Sequence, residues 1–282
     1  MAKIIDGKRI SSEVREEIAN RVAEIKTKQG QTPGLAVIIV GNDPASQVYV
    51  RNKKRACEQV GFYSEVYELP EMTSQEELCA LVDKLNNDDK IHGILVQLPL
   101  PRHLDENEIL LRIKPEKDVD AFHPYNVGKI MIGNYDLLPC TPAGVMVLLE
   151  KSGIDVSGKR CVVVGRSNIV GKPMAMLLMQ ANGTVTVCHS RTQGLADICR
   201  EADVLVVSMG KPEFITGDMV KDGAVVVDVG INRLADGRLV GDVKFDEVEP
   251  KASYITPVPG GVGPMTITML LKNTLTAAQK AK

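Results

Sequence analysis

Runs rich in Val, Ile and Leu recur along the chain at Leu35–Val40, Gly93–Val96, Arg160–Val164, Val204–Val207 and Ala224–Val229. A run without polar alternation belongs to a strand covered on both faces, which is the condition of a parallel sheet flanked by helices. The stretches between the runs are long enough for helices, and several carry helical periodicity. Ile10, Val14, Ile18, Val22 and Ile25 repeat at three- or four-residue intervals up to Gly30, so the first long element is expected to be an amphipathic helix. With no Trp and only four Phe, the core has to be aliphatic. Strand and helix alternating at this spacing predict an α/β fold with parallel pairing and right-handed crossovers.

A chain of 282 residues is expected to form two domains, at roughly 100–200 residues each. Residues 45–60 read as a helix with Tyr49, Lys53 and Ala56 on one face. Ser74-Gln75-Glu76-Glu77 is a capping box opening a helix whose apolar face is Leu78, Leu81, Val82 and Leu85. Between Pro115 and Pro142 the periodicity fails, and Gly and Pro punctuate a stretch carrying Asp118, Asp120 and His123. The boundary is placed there. The first domain is then 1–139, completed by a C-terminal helix over 265–282, and the second is 140–264. Thr141-Pro142 predicts a helix start with Thr as N-cap and Pro at the first helical position. Thr184–Cys188 reads as a further strand, Asp236-Gly237 as a hairpin turn, and the last helix is expected to begin at Pro264.

Thirty-six acidic against 34 basic residues leave a net charge of −2, without the clustered positive charge that nucleic acid or an anionic membrane surface requires. Apolar residues at 44 % and charged residues at 25 % exclude wholesale disorder. No apolar stretch reaches the roughly 18 residues of a membrane-spanning helix, and Met1–Asp6 lacks the apolar core of a signal peptide, so the protein is expected in the cytoplasm. Six cysteines without a Cys-x-x-Cys pair read as buried, reduced thiols. Four scattered histidines give no metal-ligand spacing, and no metal is expected.

The strand Arg160–Val164 runs into Gly165-Arg166-Ser167-Asn168-Ile169-Val170-Gly171-Lys172-Pro173, and an apolar helix follows. Backbone N–H groups and a helix N-terminus hold phosphate in this strand–turn–helix setting. The usual dinucleotide fingerprint is altered, since Ser167 replaces its second glycine and the last is displaced to Gly171. On pattern alone the turn is either a dinucleotide site or a tight structural turn. About twenty residues on, where an NAD enzyme places a carboxylate on the ribose, the chain reads His189-Ser190-Arg191. A hydroxyl and a guanidinium there suit the extra phosphate of NADP, with Arg166 as a second cation. Taken without the fingerprint, Arg191 reads equally as a solvated loop residue.

Tyr49 and Lys53, four residues apart on a helix, share a face, whereas Lys54 points about 140° away from Tyr49. Desolvation or a neighbouring cation lowers a lysine's pKa enough for proton transfer. Taken by itself, the pair reads more readily as a surface lysine over a half-buried tyrosine than as a catalytic pair. Gln97 ends its strand on the side where parallel sheets bind ligands. Asp120 is either an acceptor for a ligand's N–H groups or a turn carboxylate.

Gly41-Asn42-Asp43-Pro44-Ala45-Ser46-Gln47-Val48-Tyr49-Val50-Arg51-Asn52-Lys53, Gly93–Pro101, Lys117-Asp118-Val119-Asp120, Pro139-Cys140-Thr141-Pro142, Gly165–Pro173 and Pro257–Thr266 together resemble the bifunctional methylenetetrahydrofolate dehydrogenase/methenyltetrahydrofolate cyclohydrolase family. The likeness runs in order over nearly the whole chain. It implies two α/β domains around a cleft, the second a Rossmann-like doubly wound sheet, with the C-terminal helix returning to the first. It also implies a homodimer acting on tetrahydrofolate derivatives with NADP and no metal. By the same resemblance Lys53 matches the catalytic lysine, Tyr49 the tyrosine near the pterin, Gln97 the lysine's partner and Asp120 the pterin-binding aspartate. Gly165, Arg166, Ser167, Ser190 and Ile231 match nucleotide positions, with Thr141 close by, and Pro259-Gly260-Gly261 matches the loop on the folate side. Ala121 departs from the Gly that many members have there. Against this reading stand a monofunctional relative, another NADP-dependent reductase and a non-catalytic nucleotide-binding scaffold.

Overall fold

The computed structural model describes residues 1–281, the side chains of Gln29 and Ala45 apart. The chain runs β1 (Lys3–Ile4), α1 (Gly7–Gln29), β2 (Gly34–Val40), α2 (Pro44–Val60), β3 (Tyr63–Leu69), α3 (Gln75–Asn86), β4 (Gly93–Val96), α4 (Glu106–Arg112), α5 (Pro124–Met131) and α6 (Cys140–Lys151). It continues through β5 (Arg160–Val164), α7 (Gly171–Gln180), β6 (Thr184–Cys188), α8 (Leu195–Arg200), β7 (Val204–Val207), β8 (Val225–Asp228), β9 (Asn232–Arg233), β10 (Leu239–Val240), α9 (Phe245–Val248), β11 (Tyr254–Ile255) and α10 (Val262–Lys280). Contacts divide it into two compact units.

One unit comprises Glu13–Cys140 and Ile267 onward. Its sheet has the order β3-β2-β4, all parallel. All seven residues of the central β2 are buried, as expected for a strand without polar alternation. The periodic face of the part of α1 in this unit is buried too, from Val14 to Ile25. Burying each such side chain contributes about 1.5–3 kcal/mol, which outweighs the weak helix preference of the β-branched residues on that face. The edge strand β3 escaped the sequence reading because Tyr63-Ser64-Glu65-Val66-Tyr67-Glu68-Leu69 is partly exposed throughout and carries two glutamates. Helix α3 begins as its capping box predicts: Glu77 N–H donates to Ser74 Oγ at 3.2 Å, and Ser74 N–H donates to Glu77 Oε2 at 2.9 Å. Ser74→Ala should therefore cost about 1 kcal/mol, read as a lowered urea midpoint with little change in activity.

The other unit comprises Met1–Ser12 and Thr141–Thr266. Its six strands lie in the order β1-β11-β8-β7-β5-β6, every pairing parallel. The chain leaves β5 to one side for β6 and returns to the other side for β7, so the order reverses at β5. That reversal makes the sheet doubly wound and puts its switch point at the carboxyl end of β5. The hairpin at Asp236-Gly237 forms between β9 and β10, with Gly237 at φ +85°.

Several boundaries differ from expectation. The first twelve residues, assigned above to the first domain, join the second unit because β1 pairs with β11; two-residue strands carry no periodicity to read. Helix α6 starts at Cys140, so Thr141 is not its N-cap, and α10 starts at Val262, ahead of Pro264. Helix α5 lies inside the stretch read as aperiodic. His123 caps it through Nδ1, which accepts the Tyr125 N–H at 3.1 Å. Asp118 braces that turn by accepting from His123 N–H and Asn126 Nδ2. All six cysteines are free and buried.

Candidate active site

Helix α2 is capped at its start by Asp43, which accepts the Ser46 N–H at 2.8 Å, and closed by Gly61 at φ +78°. It carries Lys53 with its side chain partly buried, while Lys54 next to it is exposed. The Lys53 ammonium donates to Gln97 Oε1 at 2.9 Å. Gln97 follows β4 directly: its N–H donates to Ile38 O and its side-chain nitrogen to Leu98 O, both at 2.8 Å. With the amide nitrogen so engaged, the amide oxygen is the atom presented to the lysine.

Asp120 and Cys140 border the same lysine. Cys140 Sγ lies 3.9 Å from Asp120 Oδ1 and donates to Val119 O at 3.5 Å. Behind them Asn273 of α10 donates to Val119 O at 2.8 Å and to Leu138 O at 2.7 Å, tying together the segments that carry Asp120 and Cys140. Burial lowers the pKa of Lys53, opposed by the charges of Asp120, Cys140 and Cys57. Burial pushes Asp120 up to about 6, opposed by Lys53. A lysine drawn toward neutrality beside a carboxyl drawn toward protonation is a pair suited to moving protons. Tyr49 lies one turn before Lys53 and is 47 % exposed, leaving its ring free to meet a ligand. Ala121 is fully buried at φ +57°, a left-handed conformation that costs a non-glycine residue about 1–2 kcal/mol. The turn keeps its path because Ala121 N–H donates to Asp118 O at 3.0 Å.

In the other unit Gly165 closes β5 at φ +138°, its N–H donating to Cys188 O at 2.9 Å. A Cβ on Gly165 would lie 2.4 Å from Ser208 O, and one on Gly171 would lie 2.2 Å from Gly165 O. The displaced Gly171 thus does what the fingerprint's last glycine does: it lets helix and strand backbones touch. Ser167 Oγ accepts from Val170 and Gly171 N–H, shaping the turn into α7. Arg166, Ser167, Ser190, Arg191 and Ile231 are exposed on loops that leave the carboxyl ends of β5, β6 and β8. Thr141 Oγ1 shares a 3.1 Å hydrogen bond with Thr266 Oγ1. Pro259, Gly260 and Gly261 belong to this unit, not to the one holding Lys53. Gly261 N–H closes a turn on Pro257 O at 2.8 Å, and a Cβ on Gly7 would lie 1.7 Å from Gly261 O.

The structure therefore gathers Lys53, Gln97 and Asp120 in one unit and sets the nucleotide-type loops around one sheet end in the other. Cys140, Asn273, Asp228 and Asp242 are neighbours that sequence reasoning gave no role. The two aspartates had a usable signal, each being a carboxylate beside an aliphatic run. Asn273 had none.

A partly buried lysine held on a glutamine in one α/β unit and a glycine-bounded turn at the switch point of another are the marks of a nucleotide-dependent α/β enzyme. The family model for the catalytic domain of tetrahydrofolate dehydrogenase/cyclohydrolase matches residues 5–120, and that for its NAD(P)-binding domain matches residues 139–282. The bifunctional protein FolD of Acetivibrio thermocellus is 64 % identical over 99 % of this chain and 97 % of its own, and that of Moorella thermoacetica is 63 % identical over 99 % of both. Among solved structures, the bifunctional methylenetetrahydrofolate dehydrogenase/cyclohydrolase FolD of Campylobacter jejuni superposes with a TM-score of 0.97 at 52 % identity, covering 99 % of both chains. The Trypanosoma brucei enzyme, solved with NADP cofactor and inhibitor, gives 0.95 at 46 % identity, covering 99 % of this chain and 98 % of that one. This chain belongs to the tetrahydrofolate dehydrogenase/cyclohydrolase family. Among the described residues, no helix is long and apolar enough to cross a membrane.

Proposed function

We infer that this protein oxidises 5,10-methylenetetrahydrofolate to the 5,10-methenyl form with NADP+ and hydrolyses that product to 10-formyltetrahydrofolate. The observation that carries the reading is the Lys53 ammonium held on Gln97 beside Asp120. In the oxidation no proton has to move, because the cation left on the folate is delocalised over its two nitrogens. The enzyme's task in that step is alignment. Hydrolysis is different: water adds, a C–N bond opens, and protons have to be delivered and removed. Lys53 is assigned that work as general acid and base, oriented by Gln97, with Tyr49 against the pterin and Asp120 accepting its N–H groups. The positive charge of the methenyl substrate would lower the lysine's pKa further.

When bound, NADP+ supplies the hydride acceptor. Gly165, Arg166, Ser167, Thr141, Ser190, Arg191 and Ile231 are the residues assigned to hold it, and Pro259, Gly260 and Gly261 those assigned to the folate side. The fit rests on a turn whose glycines leave no room for a Cβ and on two exposed guanidiniums at the sheet end where the ribose carboxylate of an NAD enzyme would stand. In this reading the unit of residues 13–140 supplies the catalytic lysine and the pterin-binding aspartate, and the unit of residues 141–266 takes the nucleotide. The protein works as a homodimer in the cytoplasm, the former checked by sedimentation at twice the chain mass.

Mixing the protein with methylenetetrahydrofolate and NADP+ while following methenyl absorbance tests the whole reading. A transient rise followed by decay is expected. No methenyl rise together with no NADPH formed would leave no dehydrogenase, and a rise without enzyme-dependent decay would leave no cyclohydrolase. Catalytic efficiency should favour NADP+ over NAD+. Because a charge-assisted hydrogen bond to the 2′-phosphate contributes roughly 1.5–3 kcal/mol, Arg166→Ala or Arg191→Ala should narrow that preference about 10-fold or more, chiefly through NADP+.

A further inference from the structure

Two carboxylates, Asp228 and Asp242, are buried in the unit that carries the nucleotide-type turn, and neither takes part in the chemistry above. Asp242 is completely inaccessible. Its Oδ2 accepts the N–H groups of Met209 at 2.6 Å and Gly210 at 2.9 Å, and its Oδ1 accepts the Lys211 N–H and the Asn232 side-chain amide, both at 2.9 Å. Three successive backbone N–H groups converging on one anion form a nest that replaces the water the carboxylate has lost. Behind it Asp228 accepts the N–H groups of Gly230 at 2.9 Å, Asp242 at 3.0 Å and Val243 at 2.8 Å. The packing leaves no slack, since a Cβ on Gly230 would lie 2.3 Å from Asp242 Cγ and one on Gly241 would lie 1.8 Å from Asp228 Oδ2.

The donors place this pair functionally. Residues 208–211 leave the carboxyl end of β7, and residues 229–232 leave that of β8. Ligands of open parallel sheets bind outside those ends. The first loop also abuts the glycine turn, for Ser208 O is the atom a Gly165 Cβ would strike. The second contains Ile231. Asp242 bonds to both loops at once, so one carboxylate holds them in register with each other and, through Ser208, with the turn. The ladders of β7 and β8 pair with other strands and do not depend on it.

We propose that Asp242, braced by Asp228, is a positioning residue for the nucleotide, fixing the loops after β7 and β8 in the arrangement NADP+ meets without itself touching it. The proposal rests on the reading that this unit binds NADP+. Asparagine at position 242 keeps the shape but offers one acceptor oxygen, and its NH2 group faces N–H donors. The loops would then be released while the sheet remains.

Calorimetric titration of NADP+ into the wild-type protein, Asp242→Asn and the milder Asn232→Ala tests this, together with steady-state assays of both reactions. Asp242→Asn should raise Kd and KM for NADP+ about 10-fold or more, while hydrolysis of added methenyltetrahydrofolate stays within about twofold. Asn232→Ala, which removes a single donor, should raise them about two- to threefold. A folded Asp242→Asn protein with wild-type NADP+ affinity overturns the proposal, and so does a parallel fall in both activities, which would mark a purely structural brace. If Asp242→Asn does not fold, Asn232→Ala decides, and unchanged NADP+ affinity in it is the overturning result. Wild-type protein that bound no NADP+ would instead defeat the reading of the unit.

Discussion

Replacing Lys53 by Met should lower cyclohydrolase activity by a factor of about 10²–10⁴, the range of a lost general acid–base, while dehydrogenase activity falls much less. Methionine keeps most of the aliphatic stem but has no proton to give. The amide oxygen of Gln97, held in place by Ile38 O and Leu98 O, loses its donor. Because oxidation needs alignment and no enzyme-bound proton, methenyltetrahydrofolate should accumulate during turnover and be visible in its absorbance. Lys54→Met is the control, one step round the helix and exposed, and should leave both reactions near wild type. Wild-type hydrolysis in Lys53→Met, or damage confined to Lys54→Met, would move the proton carrier elsewhere.

Asp120→Asn should weaken folate binding about 10- to 150-fold, the equivalent of one hydrogen bond to a charged group at roughly 1.5–3 kcal/mol, and leave NADP+ affinity unchanged. Its pH dependence is a second reading of the same residue. Burial raises the Asp120 carboxyl from 3.8 to about 6, so the wild-type rate should fall as pH drops through about 6 and the acceptor becomes a protonated acid. That acid limb should be missing in Asp120→Asn. The effect on stability has the opposite sign. Between 3.8 and about 6 the folded protein holds a proton that the unfolded chain has released, so this carboxyl's contribution to stability falls as pH rises through that window. Asp120→Asn should accordingly melt higher than wild type above pH 6, with the difference shrinking toward pH 4. An acid limb that persists in the variant would belong to another group.

Much of the fold was legible because burial on both faces leaves a mark that needs no partner to interpret. Leu35–Val40, Gly93–Val96, Arg160–Val164 and Val204–Val207 are strands within a residue of where they were expected. The edge strand Tyr63–Leu69 was not legible, since a half-exposed strand mixes glutamate with tyrosine as a loop does. Two-residue strands such as Lys3–Ile4 are decided by the neighbour they meet, in this case Tyr254–Ile255.

The amino-acid sequence by itself determined the class of fold, the glycine turn after Arg160–Val164 and the helical juxtaposition of Tyr49 with Lys53. All of these follow from chemistry within one local segment: β-branched runs, missing Cβ atoms and a four-residue helical interval. Only the tertiary structure decided that the Lys53 ammonium meets Gln97, 44 residues away, that Asn273 ties Val119 to Leu138 from the far end of the chain, and that Asp242 gathers donors from residues 209–211 and 232. A hydrogen bond between distant residues depends on where the packed sheets bring the backbone, and a buried carboxylate or lysine takes its pKa from whatever the fold sets around it. Local sequence carries neither quantity.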